Sequence, residues 1–262
     1  MSPESHSSVF CGDSFLLKIS VVTAVFNRAD TIAQAISSVA DQSHPSVEHI
    51  IQDGGSTDGT LDTIRQISGP SVSLQSAPDH GIYDGINKGL ARTTGDIVGL
   101  MHSDDMFASS EILSKVSDVM SDPAIDGVYG DLDYVGAEDP TRIIRKWRSG
   151  AYSPARLRYG WMPPHPTLYL RRHVLDRWGV YDTSFRIAAD YDAMLRYLVK
   201  GQINLSYVPD VFVKMRVGGE SNKSLAKIAQ KSREDYRAIR RNGVGGIGTL
   251  VCKNLSKIQQ FF

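Results

Sequence analysis

Gly99-Leu100-Met101-His102-Ser103-Asp104-Asp105 is an apolar run that ends in two adjacent carboxylates. Ile97, Val98 and Leu100 suit a buried strand, and a buried strand cannot keep unpaired charge. Asp104 and Asp105 are therefore expected to emerge at its carboxyl end, the edge at which open α/β sheets bind ligands. Hard oxygen donors in that place suit Mg²⁺ or Mn²⁺ held against a substrate diphosphate. The alternative at this point is a helix cap, with either aspartate starting a helix over Ser109 to Met120.

The chain upstream repeats the pattern. Lys18 to Val25 is rich in β-branched residues and nearly continuous in apolar character, as in a strand covered on both faces. It runs into Phe26-Asn27-Arg28, and Thr31 with Gln34 has capping-box spacing before a helix marked by Ile32, Ile36 and Val39. That turn lacks the glycines a dinucleotide-binding fold needs, which disfavours a Rossmann oxidoreductase. Val47 to Gln52 is a second strand ending at Asp53-Gly54-Gly55, and Val72 to Gln75 a third leading to Asp79. A helix with Ile82, Ile86 and Leu90 on its buried stripe follows, and Ile97 to Met101 is the fourth strand. Four strand-helix units predict a mostly parallel α/β sheet with helices on both sides. Asn27, Asp53, Asp79 and Asp104 then share one rim, which a scatter of surface acids would not do.

Three blocks carry a resemblance: Ile50 to Thr60 with Asp53-Gly54-Gly55-Ser56, Asp79 to Gly89, and Gly95 to Asp105. Together they resemble the family-2 inverting glycosyltransferases of the GT-A, or nucleotide-diphospho-sugar transferase, fold, in particular those that build bacterial surface polysaccharides. The resemblance spans residues 18–215. It implies a base pocket formed by Ala24, Phe26, Asn27, Arg28 and Asp53, with Asp79, Asp84, Asn87 and Lys88 lining the ribose, diphosphate and donor-sugar region and Ser103 and Asp104 completing the donor site. The family's metal motif is Asp-x-Asp. Here His102 stands in its first position and Asp104 in its second, so Asp104 is the expected direct ligand of Mg²⁺ or Mn²⁺, with Asp105 supporting it.

Further along, Gly127 to Asp131 reads as a fifth strand and Arg142 to Trp147 as an edge strand. His165, held between Pro164 and Pro166, lies in a segment that the resemblance places beside the acceptor. Asp190 stands at the start of an amphipathic helix, where a carboxylate is ordinarily a cap. The resemblance places the general base there, in a Glu-Asp pair of which Ala189 has replaced the Glu. Asp192 points to another helix face.

Composition sets the outer limits. The chain has 262 residues, is 41% hydrophobic and 22% charged, and carries no formal net charge. From Lys214 to Phe262, 11 Lys and Arg face three acids, a local balance of +8 that leaves −8 for the rest. A basic segment of this kind suits an anionic surface or a solvated helix. Ile247, Leu250, Val251, Leu255, Ile258 and Phe262 recur at helical spacing beside Lys253 and Lys257, so this segment is expected either on an anionic membrane bearing a lipid-linked acceptor, or packed on the body or a homodimer interface.

Cys11 and Cys252 match no metal spacing, and no run of about 18 apolar residues spans a membrane. The expected location is the cytoplasm, extending to the inner face of the cell membrane. The expected organisation is a leader over residues 1–17, a catalytic part over 18–215 divided into donor (18–131) and acceptor (132–215) portions, and a basic helical extension over 216–262. The partners are a nucleotide-diphospho-sugar, UDP favoured, and a saccharide or lipid-linked acceptor, without nucleic acid. The processive-synthase signature Gln-x-x-Arg-Trp is absent from the second half, which favours transfer of single sugars. A sugar-1-phosphate nucleotidyltransferase, which would need a glycine- and arginine-rich first loop, and a catalytically silent binding module are the alternatives.

Overall fold

The computed structural model describes residues 16–218 and 225–256. The elements run β1 (Ile19–Val25), α1 (Ile32–Ala40), β2 (Val47–Asp53), α2 (Thr60–Ile67), β3 (Val72–Ser76), α3 (Ile82–Leu90), β4 (Ile97–Leu100), β5 (Met106–Phe107), α4 (Ile112–Met120), β6 (Gly127–Val135), β7 (Ile143–Trp147), α5 (Pro154–Leu157), β8 (Tyr169–Arg171), α6 (Arg172–Trp178), α7 (Ala189–Leu195), β9 (Leu205–Arg216), α8 (Leu225–Arg241) and α9 (Ile247–Ser256). A single 3₁₀ turn covers His165–Thr167, and a π turn over Arg196–Lys200 extends α7.

Successive side chains of a strand point to opposite faces, and both faces of the central strands are buried. In β1, Ile19 and Val21 pack in one core cluster with Val39, Leu113 and Val116. Val22 packs in another, with Ile86, Leu90 and Tyr191. β4 divides likewise, Ile97 toward the first and Val98 toward the second. The sheet order is β3-β2-β1-β4-β8-β6-β9-β5, with β7 paired to β6. β1 to β4 are mutually parallel, as are β6 and β9, whereas β8 lies antiparallel between β4 and β6.

Gly99 explains how β8 fits beside the decisive strand, because a Cβ there would run into the Tyr169 ring. Tyr169 is fully buried. β9 extends β6 past its bulges and pairs with β5, the two-residue strand after the aspartate pair. α8 and α9 join the main body: Ala238, Ile239 and Val244 share the core cluster of Tyr191 and Leu195.

Two local expectations give way. Thr31 and Gln34 form no capping box; the Thr31 hydroxyl donates to the Ser103 carbonyl at 3.0 Å, and Arg216 donates to the Gln34 side chain. α4 starts at Ile112, with Glu111 at its N-cap, so neither Asp104 nor Asp105 caps a helix. Among the described residues no helix is long and apolar enough to cross a membrane. The leader up to residue 15, Cys11, most of the Gly218 to Asn222 loop, and Lys257, Ile258 and Phe262 lie outside the described residues.

Candidate active site

The carboxyl ends of β1 and β4 open onto a cavity of about 850 Å³. Six of the expected residues line it: Ala24, Arg28, Ser103, Asp104, His165 and Asp190. A depression of about 1010 Å³ on the outer face of α8 contains none of the expected residues. The cavity, not that depression, is the candidate site.

Asp104 and Asp105 part company at the strand end. Asp104 faces the cavity beside His102. Asp105 is 1% exposed and turns inward: Oδ1 accepts the Arg216 N–H at 3.0 Å, and Oδ2 is buried without a partner. Burial, reinforced by Asp104, pushes its carboxyl well above the usual carboxylate range. Asp105 therefore sits behind the cavity wall rather than on it. No group of three or more His, Cys, Asp or Glu side chains suited to a metal occurs among the described residues. The Asp104 carboxylate on the cavity wall nevertheless suits a hard divalent cation that takes its remaining ligands from a diphosphate and water, as Mg²⁺ commonly does.

At the neighbouring strand ends, Asp53 is fully buried. Its Oδ2 accepts the N–H groups of Gly55 (2.9 Å) and Ser56 (3.0 Å) and the Ser76 hydroxyl (2.6 Å), while Oδ1 has no partner. A buried acceptor oxygen without a donor suits an N–H from a ligand. Asn27 adopts the left-handed region at φ 50° and accepts the Thr57 N–H at 2.9 Å, and Phe26 is exposed. Asp79 accepts the Gly81 N–H at 2.9 Å. Phe26, Asn27, Asp53 and Asp79 thus gather at the ends of β1 to β3, outside the cavity lining.

Asp84, Asn87 and Lys88 are engaged within the protein. Asp84 and Lys88 form an ion pair at 2.9 Å, which with the His80 N–H lowers the Asp84 pKa, and Lys88 also donates to the Pro78 carbonyl. The Asn87 side chain donates to the Tyr181 carbonyl at 2.8 Å and accepts the Tyr181 N–H at 3.1 Å. Its amide has little left for a ligand.

Asp190 and its surroundings join the two halves of the chain. Tyr83 of α3 shares its single hydroxyl hydrogen between the Ile187 carbonyl (2.8 Å) and the Asp190 carboxylate (3.1 Å). Burial and the Asp190 charge push the Tyr83 phenol well above its ordinary pKa, so it remains a donor. The Tyr83 and Tyr181 rings stack with centroids 5.7 Å apart, and the Tyr181 hydroxyl lies 2.8 Å from His165 Nε2. Burial lowers the His165 pKa to about 4, leaving its ring neutral near pH 7. His102 lies against it, ring centroids 5.8 Å apart, and burial likewise lowers its pKa, against the pull of Asp104 and Asp190. Asp192 is fully buried, paired with Arg196 at 3.1 Å and Asn242 at 3.0 Å, and serves the packing of α7.

Sequence reasoning missed Tyr83, Glu234 and Lys253. Lys253, expected beside an apolar stripe that meets a membrane, the body or a second copy, is 4% exposed. Its Nζ lies 2.6 Å from Asp235 Oδ1 and 3.4 Å from the centre of the Tyr191 ring, on the cavity wall. α9 can come this close because Gly160, at φ 76°, has no Cβ to strike the Lys253 backbone. Tyr83 is the second residue of α3, where an aromatic next to a strand-end loop is a signal the sequence does offer, whereas the burial of a lysine from a distant helix has none.

Comparison with known proteins agrees with this geometry. An uncharacterized glycosyltransferase of Mycobacterium tuberculosis is 31% identical over 189 residues, 68% of each chain. A PGL/p-HBAD biosynthesis glycosyltransferase of Mycobacterium bovis is 28% identical over 218 residues, 79% of this chain and 80% of its own. Among solved structures, S. aureus TarS with UDP-GlcNAc superposes with a TM-score of 0.67 at 18% identity, over 87% of this chain and 66% of that one. A Pyrobaculum calidifontis mannosyltransferase in complex with GDP-Man and Mn²⁺ gives 0.64 at 17%, and the chain spans 64% of its length. At such identities these structures speak for the fold, which is that of the GT-A glycosyltransferases. The profile of Glycosyl transferase family 2 matches residues 20–186, more than half of the sequence, and the chain belongs to that family.

Proposed function

We propose that this glycosyltransferase moves a sugar from a nucleoside diphosphate sugar to an acceptor hydroxyl with inversion, Asp190 acting as general base. The observation that carries the reading is that Asp104 and Asp190, from the two halves of the chain, line one cavity. The acceptor hydroxyl gives its proton to the Asp190 carboxylate as its oxygen attacks the anomeric carbon. The bond from that carbon to the diphosphate oxygen breaks on the opposite face. Such a base contributes about a hundred- to ten-thousand-fold in rate. Tyr83 holds the carboxylate in place, and neutral His165 borders the acceptor.

Asp104, with His102 beside it, would hold Mg²⁺ or Mn²⁺, which offsets charge on a leaving diphosphate. Asp53, through its unpartnered Oδ1, takes an N–H of the nucleobase, with Asn27, Phe26, Arg28 and Ala24 around it. Ser103 and Asp79 complete the donor side. Residues 18–131 thus form the donor portion and 132–215 the acceptor portion. TarS with UDP-GlcNAc and the mannosyltransferase with GDP-Man support testing both bases. The PGL/p-HBAD relative supports a saccharide or lipid-linked acceptor in cell-surface glycolipid or polysaccharide synthesis. An acceptor in a membrane agrees with the exposed Ile247, Val251 and Leu255 of α9, spaced by one helical turn each. The place of action would be the cytoplasmic face of the membrane.

Calorimetric titration with UDP, GDP and dTDP, each with and without Mn²⁺, tests the donor site. One nucleotide should bind with metal-dependent heat, and that heat should vanish in Asp104→Asn. Absence of binding by all three would contradict the reading.

A further inference from the structure

The segment leading into Asp190 has no regular structure until α7 begins at Ala189, yet it is fixed from two sides. On one side, the Ile187 carbonyl accepts the Tyr83 hydroxyl at 2.8 Å. On the other, a single carboxylate oxygen from α8, Glu234 Oε2, accepts three consecutive backbone N–H groups, those of Arg186 (3.1 Å), Ile187 (2.8 Å) and Ala188 (3.1 Å). Its second oxygen takes the Gln230 side-chain N–H at 3.0 Å. Glu234 is 9% exposed, so its charge is largely withdrawn from water, a costly arrangement unless donors replace the lost hydration. Charge-assisted bonds are stronger than neutral ones, and three converging on one atom restrict the peptide planes at 186–188. The Ile187 residue is thereby held at both its N–H and its C=O, three positions before Asp190.

We propose that Glu234 is a positioning residue for the catalytic base, so that α8, far along the chain from the matched family region, is part of the catalytic machinery. This rests on the assignment of Asp190 as base. Donor-binding groups of β1 to β4 do not touch Glu234, whereas the Asp190 carboxylate depends on the path of residues 186–188. Removing the clamp therefore acts on the chemical step rather than on donor affinity. A misplacement of about 1 Å can cost on the order of a hundredfold in rate.

The experiment compares the full-length protein with Glu234→Ala and Glu234→Gln by amide hydrogen exchange and by steady-state transfer. In Glu234→Ala, exchange should accelerate at residues 186–188 and remain unchanged in β1 to β4, with kcat falling about a hundredfold and donor KM within twofold. Glu234→Gln keeps an acceptor oxygen without the charge and should recover about tenfold of that loss. Unaltered protection at 186–188 in Glu234→Ala, wild-type kcat, or a loss confined to donor KM would overturn the proposal. If Glu234→Ala does not fold, Glu234→Gln decides alone: slower turnover at unchanged donor KM supports the clamp, and wild-type turnover overturns it. If the wild-type protein transfers no sugar from any donor, the base assignment fails, while the exchange comparison still reports on the clamp.

Discussion

The Tyr83 hydroxyl lies 3.1 Å from the Asp190 carboxylate, joining helix α3 to the start of α7. A phenol that donates to a carboxylate fixes its direction, and Tyr83 also donates to the Ile187 carbonyl, so it steadies both the Asp190 carboxylate and the backbone leading to it. Tyr83→Phe keeps the ring stacked on Tyr181 and removes only the hydroxyl. It should lower kcat about tenfold and leave donor affinity unchanged. Steady-state kinetics and nucleotide titration check this; a change in donor affinity without one in kcat would contradict it.

The Asp235–Lys253 pair ties α8 to α9, with both side chains at most 5% exposed. Breaking a buried pair leaves an uncompensated charge and costs about 3–5 kcal/mol, whereas replacing both partners by apolar groups is often neutral. Lys253→Met alone should therefore lower the unfolding free energy by about that amount. The double variant Lys253→Met, Asp235→Leu should regain most of it. Denaturant unfolding measures both, and equal losses in the single and double variants would argue against the pair.

The outer face of α9 exposes Ile247, Val251 and Leu255 at 69%, 48% and 56%, while Lys253 faces inward. If that stripe meets an anionic bilayer, replacing all three by Ser should abolish flotation with phosphatidylglycerol-rich liposomes. The monomer–oligomer balance should stay as it was. Equal flotation of both proteins would remove the membrane contact, and a shift in oligomeric state would assign the stripe to a second copy of the chain.

His49 sets an acid limit on stability. Its Nε2 lies 2.9 Å from the Thr23 hydroxyl oxygen, whose own hydrogen goes to the Met101 carbonyl, so Nε2 carries the ring proton and Nδ1 is buried without a partner. Full burial lowers its pKa to about 4. Below the ordinary histidine value of about 6.5 the unfolded chain binds a proton that the native chain refuses. Stability should thus fall as pH drops from about 6.5 toward 4, with a slope of up to about 1.4 kcal/mol per pH unit from this residue. His165, whose pKa is also lowered to about 4, adds a similar contribution. His49→Gln should remove this residue's share and so flatten the pH dependence of unfolding between about pH 6.5 and 4, and an unchanged slope would contradict the assignment.

Much of the first four strand-helix units was legible because their signals are local. Val21 and Val22 have apolar partners on opposite faces, which is what a continuous β-branched run implies, and Asp53 and Asp104 sit where apolar strands end. The remaining features depend on distant partners. β5 is two residues long and exists through pairing with β9, and antiparallel β8 fits beside β4 because Gly99 leaves room for the Tyr169 ring. Asn87 and Lys88 stood on the polar face of α3 as plausible donor ligands, but Tyr181 and Asp84, respectively, already bind them. Asp105 was expected to support Asp104 at the strand end, and only the fold shows that it turns inward toward the Arg216 N–H. Glu234 and Lys253 lie on helices of a basic segment whose pattern left membrane contact and packing on the body both open, and they are buried by contacts no periodicity reveals.

The central claim is that Asp190 takes the acceptor proton. Asp190→Asn keeps size and the ability to accept from Tyr83 while removing the base, so sugar transfer under single-turnover conditions should fall by at least about a hundredfold, with nucleotide affinity unchanged. Transfer at the wild-type rate in Asp190→Asn would contradict the account.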